Sequence, residues 1–199
     1  MPTKLLIYFY RKLRKEGDDF EKSTFCQDFF ETWESFTETE GQYQNFLCLG
    51  LGNFAQSPNS SSQVSAKFQL LLLKAFASKR FKTVQVFDPI LTSSEKNILR
   101  RLNIEPLNSN QEGHYCFEQS KTVFFLPHCP KQLLNNLIWS NWSNLDFVLI
   151  IGNSIRNLVL NLSKKQLESV EYVKILSKYT SGKTIYNLTS FAQLAGACA

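Results

Sequence analysis

Residues 45–52 read Asn-Phe-Leu-Cys-Leu-Gly-Leu-Gly, and the fold turns on them. A short run that is apolar on both faces and then breaks at glycine is the pattern of a strand covered on both sides. Gly50 and Gly52 permit a tight turn and a close approach of backbone to a ligand. A polar loop at residues 53–62, with Pro58 and four serines, leads into a helix predicted over 63–77, whose Val64, Phe68, Leu71, Leu72 and Ala75 share one face.

Downstream the alternation continues. TVQVF at 83–87 is a β-branched strand ending in Asp88-Pro89, and SSEKNILRRL at 93–102 reads as a helix with a serine cap followed by Glu95. A weak strand is expected at 103–107, a good one at 121–126 ending in Pro127-His128-Cys129, and a helix at 130–139 with proline at its start. FVLII at 147–151 is a further strand, ending in Gly152-Asn153-Ser154; a last helix at 165–179 and a last strand at 184–188 follow. Alternating strands and helices, with strands apolar on both faces, predict an α/β domain. The expected form is a Rossmann-like three-layer fold with a mostly parallel sheet joined by right-handed crossovers.

Upstream the pattern is different. Residues 1–15 carry five basic and no acidic groups, residues 16–40 a net charge of −8, and residues 41–199 a net +8. At 20–38, Phe25, Phe29, Trp33 and Phe36 recur at helical spacing with acids between them, predicting an N-terminal amphipathic helix. Its stripe needs a cover, either the α/β core or a partner protein. The expected organisation is a basic arm and acidic helix over 1–40 and an α/β domain over 41–199.

Composition excludes several classes. No apolar run approaches the roughly 18 residues of a membrane span, so no membrane association is expected. Five cysteines (26, 48, 116, 129 and 198) are odd in number and lack a CxxC, the usage of reduced thiols in cytoplasm or nucleus. Lysines and arginines are scattered without interleaved aromatics, so direct nucleic-acid binding is not expected. Two histidines without a ligand cluster give no metal site, and neither a GxSxG elbow nor a GxxxxGK[ST] loop is present.

In an open parallel sheet, ligands bind at the carboxyl ends of the strands. The candidate ligand residues are therefore Gly50, Gly52, Asn53, Asp88, His128, Gly152 and Asn153. Strand, GxG and helix suit a nucleotide-type cofactor, but Ala55 stands where GxGxxG has its third glycine, and Asp88 comes 36 residues after Gly52 instead of about 20. Asp88 could accept from a ribose or close an Asx turn. His128 could act as acid, base or donor, or be a hydrogen-bonded structural residue. NNLIWSNWS at 135–143 offers a candidate recognition surface of Asn135, Asn136, Trp139, Asn141 and Trp142; the alternative is a helix end held by side-chain amides.

Taken in order, CLGLGNF, KFQLLLL, VFDPILTSSE, LNIEPL–NQEGHY, FFLPHC, NNLIWSNWS and LIIGNS resemble the SRR-like family, named for reduced sensitivity to red light. The resemblance covers residues 48–154, with an echo at 187–191. Pro130, where glycine is common, and Ser57-Pro58, in a loop that often carries cysteine, depart from it. It implies a regulatory protein linked to circadian rhythm, clock-gene expression and haem biosynthesis, acting through protein partners or a small ligand; no established reaction comes with it. A Rossmann-like enzyme or nucleotide sensor is the first alternative, and a microtubule-related regulator the second. Haem as a ligand would draw on His128-Cys129 for axial ligation.

Overall fold

A computed structural model describes residues 3–40, 42–55, 61–77, 81–117, 120–127 and 129–179. Two helices, α1 (Thr3–Glu21) and α2 (Thr24–Glu40), precede the α/β alternation. Then follow β1 (Asn45–Leu49), α3 (Ser61–Ala77), β2 (Thr83–Phe87), α4 (Ser93–Arg101) and β3 (Glu105–Pro106). The second half comprises β4 (Thr122–Leu126), α5 (Lys131–Ser140), a short 3-10 helix (Trp142–Phe147), β5 (Val148–Gly152), α6 (Ile155–Leu160), α7 (Lys164–Glu168) and α8 (Glu171–Leu176).

The five strands form one sheet in the order β3-β2-β1-β4-β5, every pair parallel. Strand periodicity assigns the two faces. Phe46, Cys48, Val84, Val86, Val123 and Phe125 meet helices α1 to α4. Leu47, Leu49, Phe87, Phe124 and Leu126 meet α5, α6 and α8. The result is the Rossmann-like three-layer fold. Helices lie on one face for β1 to β3 and on the other for β4 and β5, so the chain reverses direction across the sheet between β1 and β4. Asn45 ties the amino ends of three strands together, accepting from Thr83 Oγ1 at 2.8 Å and donating to Thr122 Oγ1 at 3.3 Å.

The aromatic stripe of α2 is covered by the protein's own core. Phe29 and Trp33 are buried and meet Phe76 of α3 edge-on at 5.4 and 5.3 Å, and Phe25 packs on Phe68 at 5.6 Å. Such pairs add roughly 0.5–1.5 kcal/mol each beyond their buried area. The side chain of Phe36 lies outside the described set. Acids of α1 pair with lysines of α3: Glu16 with Lys67 at 2.7 Å, and Glu21 and Asp18 with Lys74 at 3.2 and 3.4 Å.

Three differences from the sequence reading have physical causes. The basic arm is helical, as α1, with Arg11, Lys12, Arg14 and Lys15 exposed and Leu13 buried. The helix expected over 165–179 is broken into α7 and α8, because Val170 adopts φ −139° and turns its side chain fully into the core. The weak strand at 103–107 shrinks to two residues, since Pro106 has no N–H to extend a ladder. The strand predicted at 184–188 lies outside the described residues.

Candidate functional site

The loop after β1 sits at the carboxyl edge of the sheet, where a nucleotide-binding unit would hold phosphate on free backbone N–H groups. Gly50 and Gly52 both take positive φ, 79° and 83°. A methyl on Gly52 would stand 3.1 Å from Ala66 Cβ of α3, so the loop lies directly on that helix.

Four N–H groups of this loop are taken up inside the protein, that of Gly50 by Phe87 O at 3.1 Å. Gly52 N–H donates to Asp88 Oδ2 at 2.8 Å, and Asp88 Oδ1 accepts from Ile90 N at 2.9 Å, closing an Asx turn after β2. Phe54 and Ala55 N–H groups donate to Glu95 Oε1 at 2.7 and 2.9 Å. Glu95 Oε2 accepts from Thr92 N at 3.0 Å, Thr92 Oγ1 at 2.8 Å and Asn53 Nδ2 at 3.1 Å. Glu95 is 0% exposed. It closes the capping box of α4, in which Thr92, not a serine, is the cap. Asp88 and Glu95 thus stand where a bound anion would stand. The sequence marked Glu95 only as part of a helix cap; its five-donor role joins segments about forty residues apart, and no local signal carries that.

Cys129 spans the switch point between β4 and β1. Its Sγ donates to Leu49 O at 2.9 Å. Burial, and after it the nearby charge of Asp88, pushes the thiol up to about 12. Burial raises Cys48 well above its ordinary value too, with Cys129 and Asp88 adding to the effect. A thiolate ligand or nucleophile at Cys129 would have to give up both this proton and this bond. His128 lies outside the described residues.

Gly152 and Asn153 belong to a different place. With Leu126, Cys129, Leu134, Ile150 and Leu158 they line a cleft of about 40 Å³ between the ends of β4 and β5. Clefts that enclose a cofactor run to roughly 300 Å³ or more. The strand-end candidates therefore fall into two groups, with Gly50, Gly52, Asn53 and Asp88 in the laced loop and Gly152 and Asn153 in the cleft. Among the described residues, no group of three or more His, Cys, Asp or Glu side chains is placed to hold a metal ion.

The asparagines of NNLIWSNWS act as fasteners. Asn135 Oδ1 accepts from Tyr172 N at 3.0 Å and Val173 N at 3.4 Å, capping α8 from α5. Asn136 Nδ2 donates to Glu112 O at 2.8 Å. Asn141, 3% exposed, donates to Tyr115 O at 2.7 Å and Leu137 O at 2.8 Å. The frame they build presents Trp139, 51% exposed, and Trp142, 40% exposed. Each ring is steadied edge-on, Trp139 by His114 and Trp142 by Tyr172, with centroids 5.1 Å apart in both pairs. His114 in turn shares a 3.0 Å hydrogen bond with Ser140 Oγ. No described helix is long and apolar enough to cross a membrane.

Comparison with known proteins agrees with this chain along most of its length. The SRR1 domain matches residues 18–196. An SRR1-like protein of Mus musculus is 32% identical over 206 aligned positions, covering 86% of this chain and 82% of the mouse protein. Protein SENSITIVITY TO RED LIGHT REDUCED 1 of Arabidopsis thaliana is 30% identical, covering 68% of this chain and 52% of its own length. An SRR1-like protein of Drosophila melanogaster is 28% identical over 59% of this chain and 41% of the fly protein. No solved structure matches.

Proposed function

The chain belongs to the SRR1 domain family, and from that premise we propose that it is a regulatory protein acting through a preformed protein-contact surface. The observation that carries this reading is the pair Trp139 and Trp142, exposed on a frame in which three asparagines are each bonded to backbone. Large aromatics held in place before binding lose little freedom on association, and they dominate the energetics of protein interfaces. The strand-end loop favours the same reading. A carboxylate pair already occupies the N–H groups that a nucleotide phosphate would need.

The name of the Arabidopsis relative refers to sensitivity to red light. For this chain we infer a part in clock-gene expression and in the control of haem biosynthesis, exerted through protein partners in the cytoplasm and nucleus. The test is replacement of the native protein in cells by Trp139→Ala/Trp142→Ala. Both side chains are half in solvent, so the double variant should fold with a loss of about 1–2 kcal/mol. Rhythmic transcript amplitude and expression of haem-synthesis genes should fall to the level of a deletion. A folded variant that restores both as well as wild type sinks the proposal. Thermal-shift measurement with nucleotides, S-adenosylmethionine and haem addresses the sensor alternative: a saturable rise in Tm would favour it.

A further inference from the structure

The tryptophan surface carries a charge opposite to that of the protein. The chain has 22 lysines and arginines against 17 aspartates and glutamates. The two segments that build the surface depart from that balance. Residues 108–117, which brace α5, and residues 132–147, which carry both tryptophans, hold neither lysine nor arginine. Their charged residues at neutral pH are Glu112 and Asp146, both exposed. Helix α8, which brings Tyr172 to Trp142, adds Glu171 and Lys174, whose charges cancel.

Glu112 is fixed against α5. Its φ is 50°, in the left-handed region that glycine or asparagine fills at less cost. Its N–H donates to Asn110 Oδ1 at 2.9 Å, and its carbonyl accepts from Asn136 Nδ2 at 2.8 Å. Gly113 lies so close to α5 that a methyl there would collide with the Leu133 carbonyl. His114 follows and meets the Trp139 ring. The turn therefore runs along α5 towards Trp139, and Asp146 lies in the same short 3-10 helix as Trp142. An indole face attracts a cation, and acids on the same surface add to the attraction. A guanidinium suits both features: it is planar, always charged and weakly hydrated, and it stacks on aromatic faces and pairs with carboxylates.

Resting on the contact surface proposed above, we propose that its occupant is an arginine-bearing segment of a partner protein. Its guanidinium groups stack on Trp139 and Trp142, within the field of Glu112 and Asp146. A protein of net positive charge attracts acidic chains in general. A preference for a cationic segment is therefore a property of this patch and not of the net charge.

Fluorescence anisotropy of the full chain with three labelled peptides tests this. One alternates arginine and glycine; in the others glutamate or glutamine replaces arginine. The arginine peptide should bind saturably, at least about tenfold more tightly than the other two at low salt, and more weakly as salt rises. Trp139→Ala/Trp142→Ala should weaken it by about tenfold. Glu112→Asn/Asp146→Asn should weaken it by about threefold to tenfold and flatten the salt dependence. That variant should keep its Tm, since asparagine accepts the positive φ at position 112. Arginine-peptide binding that is absent, that the glutamate or glutamine peptide equals, or that survives either double variant overturns the proposal. Self-association of the wild-type chain that Trp139→Ala/Trp142→Ala abolishes overturns it too, and assigns the surface to a second copy. If the tryptophan variant fails in cells while Glu112→Asn/Asp146→Asn restores wild-type function, the contact surface stands and its cationic partner falls.

Discussion

Replacing Glu95 probes the loop lacing directly. In Glu95→Gln the size is kept but one oxygen becomes an NH2 donor. Oε1 faces two N–H groups, those of Phe54 and Ala55. Oε2 faces Thr92 N–H, the Thr92 hydroxyl and the Asn53 amide. Whichever way the glutamine turns, its NH2 meets at least two other donors, and only the hydroxyl can rotate to accept. Leaving one or two buried donors without an acceptor costs about 1–3 kcal/mol each, so Glu95→Gln should lose about 2–4 kcal/mol. Glu95→Ala strands three backbone N–H groups and leaves a void; because Ala55 and Thr92 are only half-buried, water relieves part of it, and the loss should be about 3–5 kcal/mol. Urea denaturation at neutral pH measures both, and a change in midpoint without a change in slope identifies a stability effect. Hydrogen exchange at Phe54 and Ala55 supplies the local readout. A Glu95→Gln protein within about 0.5 kcal/mol of wild type, with those two amides still protected, would refute the assignment of Glu95 as their acceptor.

Four further outcomes follow from the same contacts. Gly52→Ala should cost about 1–3 kcal/mol in denaturation, from the positive φ and the 3.1 Å approach to Ala66; against the Ala66→Gly background, itself about 1 kcal/mol less stable inside α3, the same change should cost less by the crowding part only. Cys129, with its thiol at about 12 against an ordinary 9.0, should hold about a thousandfold less thiolate than an unperturbed cysteine at pH 8, and mass spectrometry should find it alkylated far more slowly than exposed Cys116. The same raised value means the folded state holds the proton longer than the unfolded one. The contribution is fully present below pH 9 and is lost as pH rises towards 12, and Cys129→Ala should flatten that alkaline decline in the urea midpoint. Asn141→Ala should cost about 1–3 kcal/mol by leaving the Tyr115 carbonyl without its 2.7 Å donor, measured as a lowered urea midpoint.

The sheet was legible because its strands announce themselves locally. NFLCL, TVQVF and TVFFL coincide with β1, β2 and β4 to within a residue. The α1 helix was not, because its first residues show locally only a cluster of five basic groups, whereas the helix is held by Leu13 and by ion pairs to α3 that no local pattern displays. Nor was the break at Val170. A helical run of apolar residues looks continuous until one of them is needed in the core at an angle the helix cannot supply. The tryptophans of NNLIWSNWS were visible as large side chains, but the partners of the three asparagines lie on α8 and in the segment at Glu112 and Tyr115, between β3 and β4.

The glycine pair after β1 shows most clearly where sequence reading runs out. Two glycines at a strand end say that backbone N–H groups turn outward and need an acceptor; they do not say whose acceptor it is. In a nucleotide-binding unit the acceptor is a phosphate, and the acidic residue further on addresses a ribose. Here the late acidic residue, Asp88, reaches back to Gly52 itself, and Glu95 meets the N–H groups of Phe54 and Ala55. The missing third glycine and the displaced acid are two aspects of one arrangement. Asp88 sits where it reaches the loop, and Glu95 beside it meets the loop's later donors. The Rossmann-like frame is kept, and at the carboxyl edge of its sheet the carboxylates of Asp88 and Glu95 meet loop N–H groups from within the protein.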